Sequence, residues 1–475
     1  MVDRDPPVDP ESRQLSATAR SVILVGVLGS FLTAFSGSVL NVAIPAIGAD
    51  FAAPAAALGW IVSAFTISTV VLLLPLGRLA DVTSRRAVLI GGLVLTTVVS
   101  GLTLVTASLT QLIVLRVLQG IGAACLYATQ QAILADVVPT ARRGAALGLT
   151  ISAVYVGLSS GPVLGGLCTR HFGWRSIFWF ITVLTLVTTV VAVLRLPRPA
   201  RAVPRPLAPS LDLTGMGVYG LAALGLTYGL NELPNGGRAY LALGLGGLLF
   251  VGFILHERRA AQPLISPSLF RGRPAFLLSN LSALLSYAAT FAVSYLLAIY
   301  LQQVKGLRPD LTGLILIVSP LCQSFVAPLA GRLSDRRSPF ALASLGMALC
   351  AAGLISFAWI GAATSLVVIV ANLVVLGIGF GFFSTPNTAA IMSLAPPRDF
   401  GIVVSLVATM RNLGMVVAMA IIAAIVSSHF GQLTVAEAPG PLVVTTLRWC
   451  FGVFAGICLV GIATSVNRRP ARRDA

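Results

Sequence analysis

Apolar runs of about twenty residues, separated by short polar breaks, follow one another along this chain almost from end to end. Coiled as a helix at 1.5 Å per residue, such a run matches the roughly 30 Å hydrocarbon core of a bilayer. Fourteen are read from the pattern: 21–43, 57–79, 87–106, 110–136, 144–167, 174–195, 213–231, 239–256, 275–303, 311–332, 340–360, 364–391, 401–428 and 445–466. The breaks group them as six, two and six. A polar tail (1–20) precedes a first six-helix bundle (21–195), and a linker (196–212) follows. Prolines at 197, 199, 204, 206 and 209 keep that linker from continuing a helix. Two inserted helices (213–256), a basic loop (257–274), a second six-helix bundle (275–466) and a basic tail (467–475) complete the chain. The expected fold class is an all-α polytopic membrane protein: two six-helix bundles plus two inserted spans.

Composition excludes the soluble alternative. Of 475 residues, 57% are hydrophobic and 10% charged, against about 25% charged in soluble proteins. A net charge of +17 would suit nucleic acid if it formed a patch. Instead, with the N-terminus inside, 24 of the 32 lysines and arginines fall in segments on that side. Arg170, Arg175, Arg238, Lys305, Arg308 and Arg448 fall on the other side, and Arg116 and Arg411 lie within helices. That is the positive-inside bias, so a multi-pass protein of the inner or plasma membrane with both termini cytoplasmic is expected, with no nucleic-acid partner. The first twenty residues lack a basic n-region and a cleavage site, so the first helix is read as an uncleaved insertion signal. The cysteines (Cys125, Cys168, Cys322, Cys350, Cys450, Cys458) sit in or at the ends of apolar helices without ligand spacing. No disulfide, metal or other cofactor is expected.

Two short echoes carry the internal symmetry. Gly77-Arg78-Leu79-Ala80-Asp81 closes one apolar run and is followed by Arg85-Arg86; Gly331-Arg332-Leu333-Ser334-Asp335 closes another and is followed by Arg336-Arg337. Related turns in two related bundles fit halves that rock against each other to move a solute.

These residues also carry a family resemblance. Gly77-x-Leu79-Ala80-Asp81-x-x-x-Arg85-Arg86 resembles the loop between helices two and three of the major facilitator superfamily. Arg116-Val-Leu-Gln119-Gly120-Ile-Gly122 resembles its fourth-helix motif, and Gly157-x-x-x-Gly161-Pro162-x-x-Gly165-Gly166 its antiporter-associated fifth-helix motif. Asn41-Val-Ala-Ile-Pro45, Leu211-Asp212 before Gly215, and Tyr300-Leu301-Gln302-Gln303 resemble its drug:proton antiporter group with fourteen helices. The resemblance spans almost the whole chain and implies a secondary transporter of multidrug efflux type rather than an enzyme.

Each motif has a physical reading. Asp81 can cap a helix N-terminus or pair with Arg85 or Arg86, and Asp136 ends a helix on the same side. With Gly77, Gly331 and Asp335 they form an expected cytoplasmic gate; a single copy would read more plainly as a solvated loop. Gly157, Gly161, Gly165 and Gly166 are read as one small helix face that permits close approach, with Pro162 allowing a bend. Gly157-Leu158-Ser159-Ser160-Gly161 also fits the G-x-S-x-G of a hydrolase elbow, but His171, His256 and His429 all lie at helix ends or loops, which disfavours an intramembrane serine hydrolase. Arg116, at about 2.5–3.5 kcal/mol for an arginine in mid-membrane, implies a water-filled cavity or a side chain snorkelling to the surface.

Absences matter as much. Ser36 stands where the family's first-helix motif has an acid, and every Asp and Glu is read at a helix end, in a loop or in a tail. Two intramembrane cations without an anion point to neutral or anionic amphiphiles rather than cationic dyes as substrates. No G-x-x-x-x-G-K-[ST] is present, so a gradient, with protons the expected partner, must drive transport. The sequence reading is a monomeric exporter of small molecules. Its cavity is lined by Asn41, Arg116, Gln119, Tyr127, Arg411 and Asn412, and its hinge by Gly157, Gly161, Pro162, Gly165 and Gly166. An importer of organic anions on the same fold and a non-transporting sensor are the rivals.

Overall fold

The structure, a computed structural model, describes residues 16–197, 212–232, 236–260, 273–334, 336–394, 400–431, 433–434 and 437–466. These residues form helices: α1 (Ala17–Ser38), a 3-10 turn (Val39–Val42), α2 (Ile44–Asp50), α3 (Ala55–Val82), α4 (Arg85–Thr103), α5 (Leu109–Val137), α6 (Thr140–Phe172) and α7 (Arg175–Arg195). The inserted pair is α8 (Leu213–Asn231) and α9 (Gly237–Glu257). Then come α10 (Pro274–Thr290), α11 (Val293–Ile299) with a π turn (Tyr300–Val304), α12 (Pro309–Leu316), α13 (Val318–Ser334), α14 (Pro339–Ala358), α15 (Leu366–Ser393), α16 (Phe400–Phe430) and α17 (Gly440–Val466). Among the described residues the only bridge between extended segments joins Pro54 and Thr434.

Hydroxyl and carboxylate caps set where several helices begin. Ser84 Oγ accepts the Ala87 amide at 3.2 Å, Ser108 Oγ the Gln111 amide at 3.3 Å, and Asp212 Oδ1 the Gly215 amide at 2.8 Å. Each cap satisfies a backbone donor that the first turn leaves free. Among the described residues, thirteen stretches are long and apolar enough to cross a membrane. Helix α6, with 33 residues, is about 50 Å long at 1.5 Å per residue and lies in the bundle as well. Outward-facing apolar side chains such as Leu194 (73% exposed) and Leu248 (68%) are what lipid, as solvent, leaves uncovered.

In the first half, α5 packs against α3 and α4, and α1 against α5, α6 and α7. In the second, α14 packs against α15 and α17, and α10 against α16 and α17. The halves meet along α3–α16 and along α6 with α12 and α13. The inserted pair stacks on itself and lies across the α3–α16 seam, where Trp60 Nε1 donates to Glu232 at 3.1 Å and the Tyr219 hydroxyl to the Val70 carbonyl at 3.1 Å.

The apolar core is unevenly shared. At the end away from the paired-arginine loops one continuous cluster joins Phe35, Val39, Val42 and Ile47 of the first half to Leu296, Tyr300, Phe430 and Val443 of the second. At the basic end the halves keep separate cores: Val25, Leu89, Leu134 and Ala192 in one, Phe276, Ile391, Val403 and Leu406 in the other. A smaller cluster, Ile67 and Val70 of α3 with Val416 of α16, joins the halves at mid-bundle, and the largest shared core lies at the end away from the paired-arginine loops.

Candidate functional site

At mid-bundle, five helices from both halves converge on one cluster of aromatic and polar side chains. Helix α5 brings Tyr127, α6 Tyr155, α10 Tyr287, α15 Phe380 and Ser384, and α16 Arg411. The Arg411 guanidinium lies over the Tyr127 ring, 5.1 Å from its centroid. Tyr287 lies beside Arg411 and packs edge-on against Phe380, centroids 5.1 Å apart at 82°. The Tyr155 hydroxyl and Ser384 Oγ, one from each half, are 3.1 Å apart. Tyr127, Tyr155, Tyr287 and Arg411 all keep part of their surface open. Among the described residues no carboxylate pairs with Arg411.

Arg116 stands elsewhere. It is 1% exposed, and each of its three nitrogens donates to a partner in the first half. Its Nε donates to the Ile61 carbonyl at 2.9 Å, Nη1 to Gln119 Oε1 at 2.9 Å and Nη2 to the Ser36 carbonyl at 3.5 Å, while its Cζ sits 4.3 Å from the centre of the Phe65 ring. Gln119 passes the chain on, donating to Ser100 Oγ at 3.0 Å. One cation thereby ties α1, α3, α4 and α5 together, and it neither snorkels nor reaches an open surface. Asn41 is buried in the 3-10 turn, and Asn412 is buried with its amide returned to the Ala408 carbonyl of its own helix at 2.8 Å. Of the six residues expected to line the cavity, only Tyr127 and Arg411 meet in the mid-bundle cluster.

At the basic end, Arg85 Nη1 pairs with Asp136 Oδ2 at 2.5 Å, linking α4 to α5. Arg86 instead donates to the carbonyls of Val193 (2.8 Å) and Leu196 (3.3 Å) at the end of α7. Gly77 faces the Ala128 side chain and Gly331 that of Thr385, so the two echoes pack equivalently against α5 and α15. The Asp81 side chain and Asp335 lie outside the described residues.

At the opposite end the two halves are latched. Arg170, in the last turn of α6, pairs with Asp310, in the first turn of α12, and Arg308 adds a second contact at 3.5 Å. Gln302 Nε2 donates across to the Val42 carbonyl at 3.0 Å. Asp310 stands at a helix end, as expected of the acids of this chain, but it is only 8% exposed; helix α12 begins two residues before the apolar run does. Nearby, Asp50 accepts from Arg175 at 2.8 Å and Trp174 at 3.1 Å, which holds its carboxyl below the usual range.

The glycines of α6 divide between two neighbours rather than forming one face. A side chain at Gly157 would stand 2.6 Å from the Phe31 carbonyl, and one at Gly161 or Gly165 would strike Ser38 or Val39, all in the first half. Gly166, one residue and 100° further round, faces the Pro309 carbonyl of the second half, and Gly313 faces the carbonyl of Pro162 in return. The G-x-S-x-G segment runs inside this continuous helix, without the strand and turn that a nucleophile elbow requires.

Sequence reasoning missed Tyr155, Tyr287, Phe380, Ser384 and Asp310. A usable signal existed for two of them: the chain has only 8 tyrosines, so one in the middle of an apolar run is unusual.

The comparisons with known proteins agree with this architecture. A family model described as Major Facilitator Superfamily matches residues 26–419 and 280–475. The cephamycin export protein CmcT of Amycolatopsis lactamdurans is 31% identical over 462 residues, 91% of this chain and 92% of that protein. The riboflavin transporter RibZ of Clostridioides difficile strain 630 is 29% identical over 445 residues, 94% of this chain and 96% of that protein. A crystal structure of a peptide transporter, POT, in complex with sulfate superposes with a TM-score of 0.70 at 17% identity, covering 94% of each chain.

Proposed function

The chain belongs to the major facilitator superfamily, and from that premise we propose that it is a proton-coupled exporter of small amphipathic molecules, of the drug:proton antiporter type. In this reading α6 is the fourteenth span, both termini are cytoplasmic, and the protein acts as a monomer in the inner or plasma membrane. The mid-bundle cluster carries the reading: Tyr127 and Tyr155 come from one half, and Tyr287, Ser384 and Arg411 from the other. A solute held by both halves binds differently when they change their relative tilt, which is what lets it drive alternating access. The shared core and the Arg170–Asp310 contact at one end, against separate cores at the basic end, support a site that opens toward the cytoplasm in this reading. Gly77, Asp81, Arg85, Arg86, Asp136, Gly331 and Asp335 would close that side in the other state. The α6 glycines would act as the pivot.

Protons would enter through acids at the rims, Asp136 among them, or on the substrate's own acid group. The cephamycin exporter among the relatives supports export. The riboflavin transporter, whose name gives no direction, keeps uptake as the second reading.

The test is accumulation of lipophilic cations, neutrals and anions in an efflux-deficient host, with and without the protein and a protonophore. Lower accumulation that the protonophore abolishes is the expected result. Raised accumulation would establish uptake, and no change with any compound would sink the transport reading.

A further inference from the structure

We propose that the mid-bundle cluster binds planar aromatic anions, with the ring among Tyr127, Tyr155, Tyr287 and Phe380 and the acid group on Arg411; this rests on the transporter reading above. Arg411 lies three turns inside α16, over the face of Tyr127 and beside Tyr287. A cation in a membrane interior is stabilised most by a counter-charge. Among the described residues none is offered to it, although Arg85, Arg170, Arg175 and Arg308 each have a carboxylate. A carboxylate or enolate on the ligand supplies the missing charge, and the planar guanidinium can hold it through two parallel hydrogen bonds. A cationic ligand meets the same sign of charge and, among the described residues, no acid to offset it.

The walls specify the rest of the ligand. Three partly open tyrosines and Phe380 present both ring faces and ring edges, and aromatic pairs prefer offset or edge-on contacts at 4.5–7 Å. A flat arene can satisfy several of them together, while a saturated ring keeps the apolar contact and loses that geometry. The Tyr155 and Ser384 hydroxyls add a polar rim where the halves face each other.

Equilibrium dialysis of the full chain in lipid nanodiscs tests this with 2-naphthoate, 2-naphthylmethylammonium and cyclohexanecarboxylate. The naphthoate is expected to bind tightest and the amine weakest. Arg411→Gln should weaken naphthoate at least about tenfold, the scale of one lost charge-assisted contact, and Arg411→Lys by less. Tyr287→Leu should weaken naphthoate more than cyclohexanecarboxylate. Thermal unfolding without ligand checks that each variant is folded; should the Gln variant unfold, the Lys variant and the order of the three ligands still decide. Amine binding as tight as naphthoate, naphthoate binding indifferent to Arg411, or no binding of any of the three overturns the proposal. The outcome is separable from that of the transporter reading. Protonophore-sensitive export of the amine alone would leave transport standing and remove the anion site, whereas no export of anything would remove transport while dialysis still judged the site.

Discussion

Arg116 and Arg411 are the two arginines deepest within apolar runs, and the structure gives them opposite surroundings. Arg116 is closed in by carbonyls, Gln119 and the Phe65 ring. Its removal leaves at least the Ile61 carbonyl and the Gln119 amide oxygen without their donor. Arg116→Ala should therefore cost about 3 kcal/mol, the range for losing charged hydrogen bonds and stranding their partners. Arg116→Lys, a point charge on a flexible stem, should recover only part of that. Thermal unfolding in detergent reads both. An unchanged melting temperature alongside lost transport would mean that Arg116 serves coupling and not architecture. The sequence made both residues conspicuous because charge is rare in hydrocarbon; it was silent on which faced open space, since that depends on the rotation of each helix.

Helix α6 works through what its side chains lack. Gly161 and Gly165 let it lie directly on Ser38 and Val39, and Gly166 meets Pro309 across the halves. In lipid, where burying apolar surface gives little drive, such close backbone approach is a main source of helix association. Gly165→Val should cost about 1–3 kcal/mol or more, because the Val39 backbone cannot retreat. Gly91→Val is the control, since that glycine is exposed with nothing near it. Yield and melting temperature of the purified variants should separate the two clearly; equal behaviour would show that the α1–α6 crossing is plastic. The spacing of four announced a tight crossing, and the second neighbour met by Gly166 was invisible because it comes from the other half of the chain.

At the scale of the molecule, the halves are held together at one end by a shared apolar core and by the contacts of Asp310 and Gln302. Asp310→Asn keeps the shape and removes the charge, so it should loosen that end without unfolding either half. A partly buried pair of this kind contributes about 1 kcal/mol, or about fivefold in the population of the opened state. The readout is maleimide labelling in detergent of a cysteine replacing Val42, which is wholly buried at that end. The background should lack the half-exposed Cys168 and Cys322. Labelling that stays as slow as with Asp310 intact would assign closure to the apolar core alone.

The chain's own sequence determined where its helices lie, their capped starts, the echo between its halves and the membrane as their solvent. Each of these is set by local apolarity or by residues a few positions apart. Tertiary structure alone decided that Arg116 is enclosed and Arg411 partly open, that Tyr155 and Tyr287 join the same site, and that Asp310 latches the halves. The reason is physical: lipid-facing and core-facing sides of a membrane helix are both apolar, so hydropathy fixes a helix's span and leaves its rotation unmarked. Which side chains converge is then settled only by packing between segments far apart in the chain.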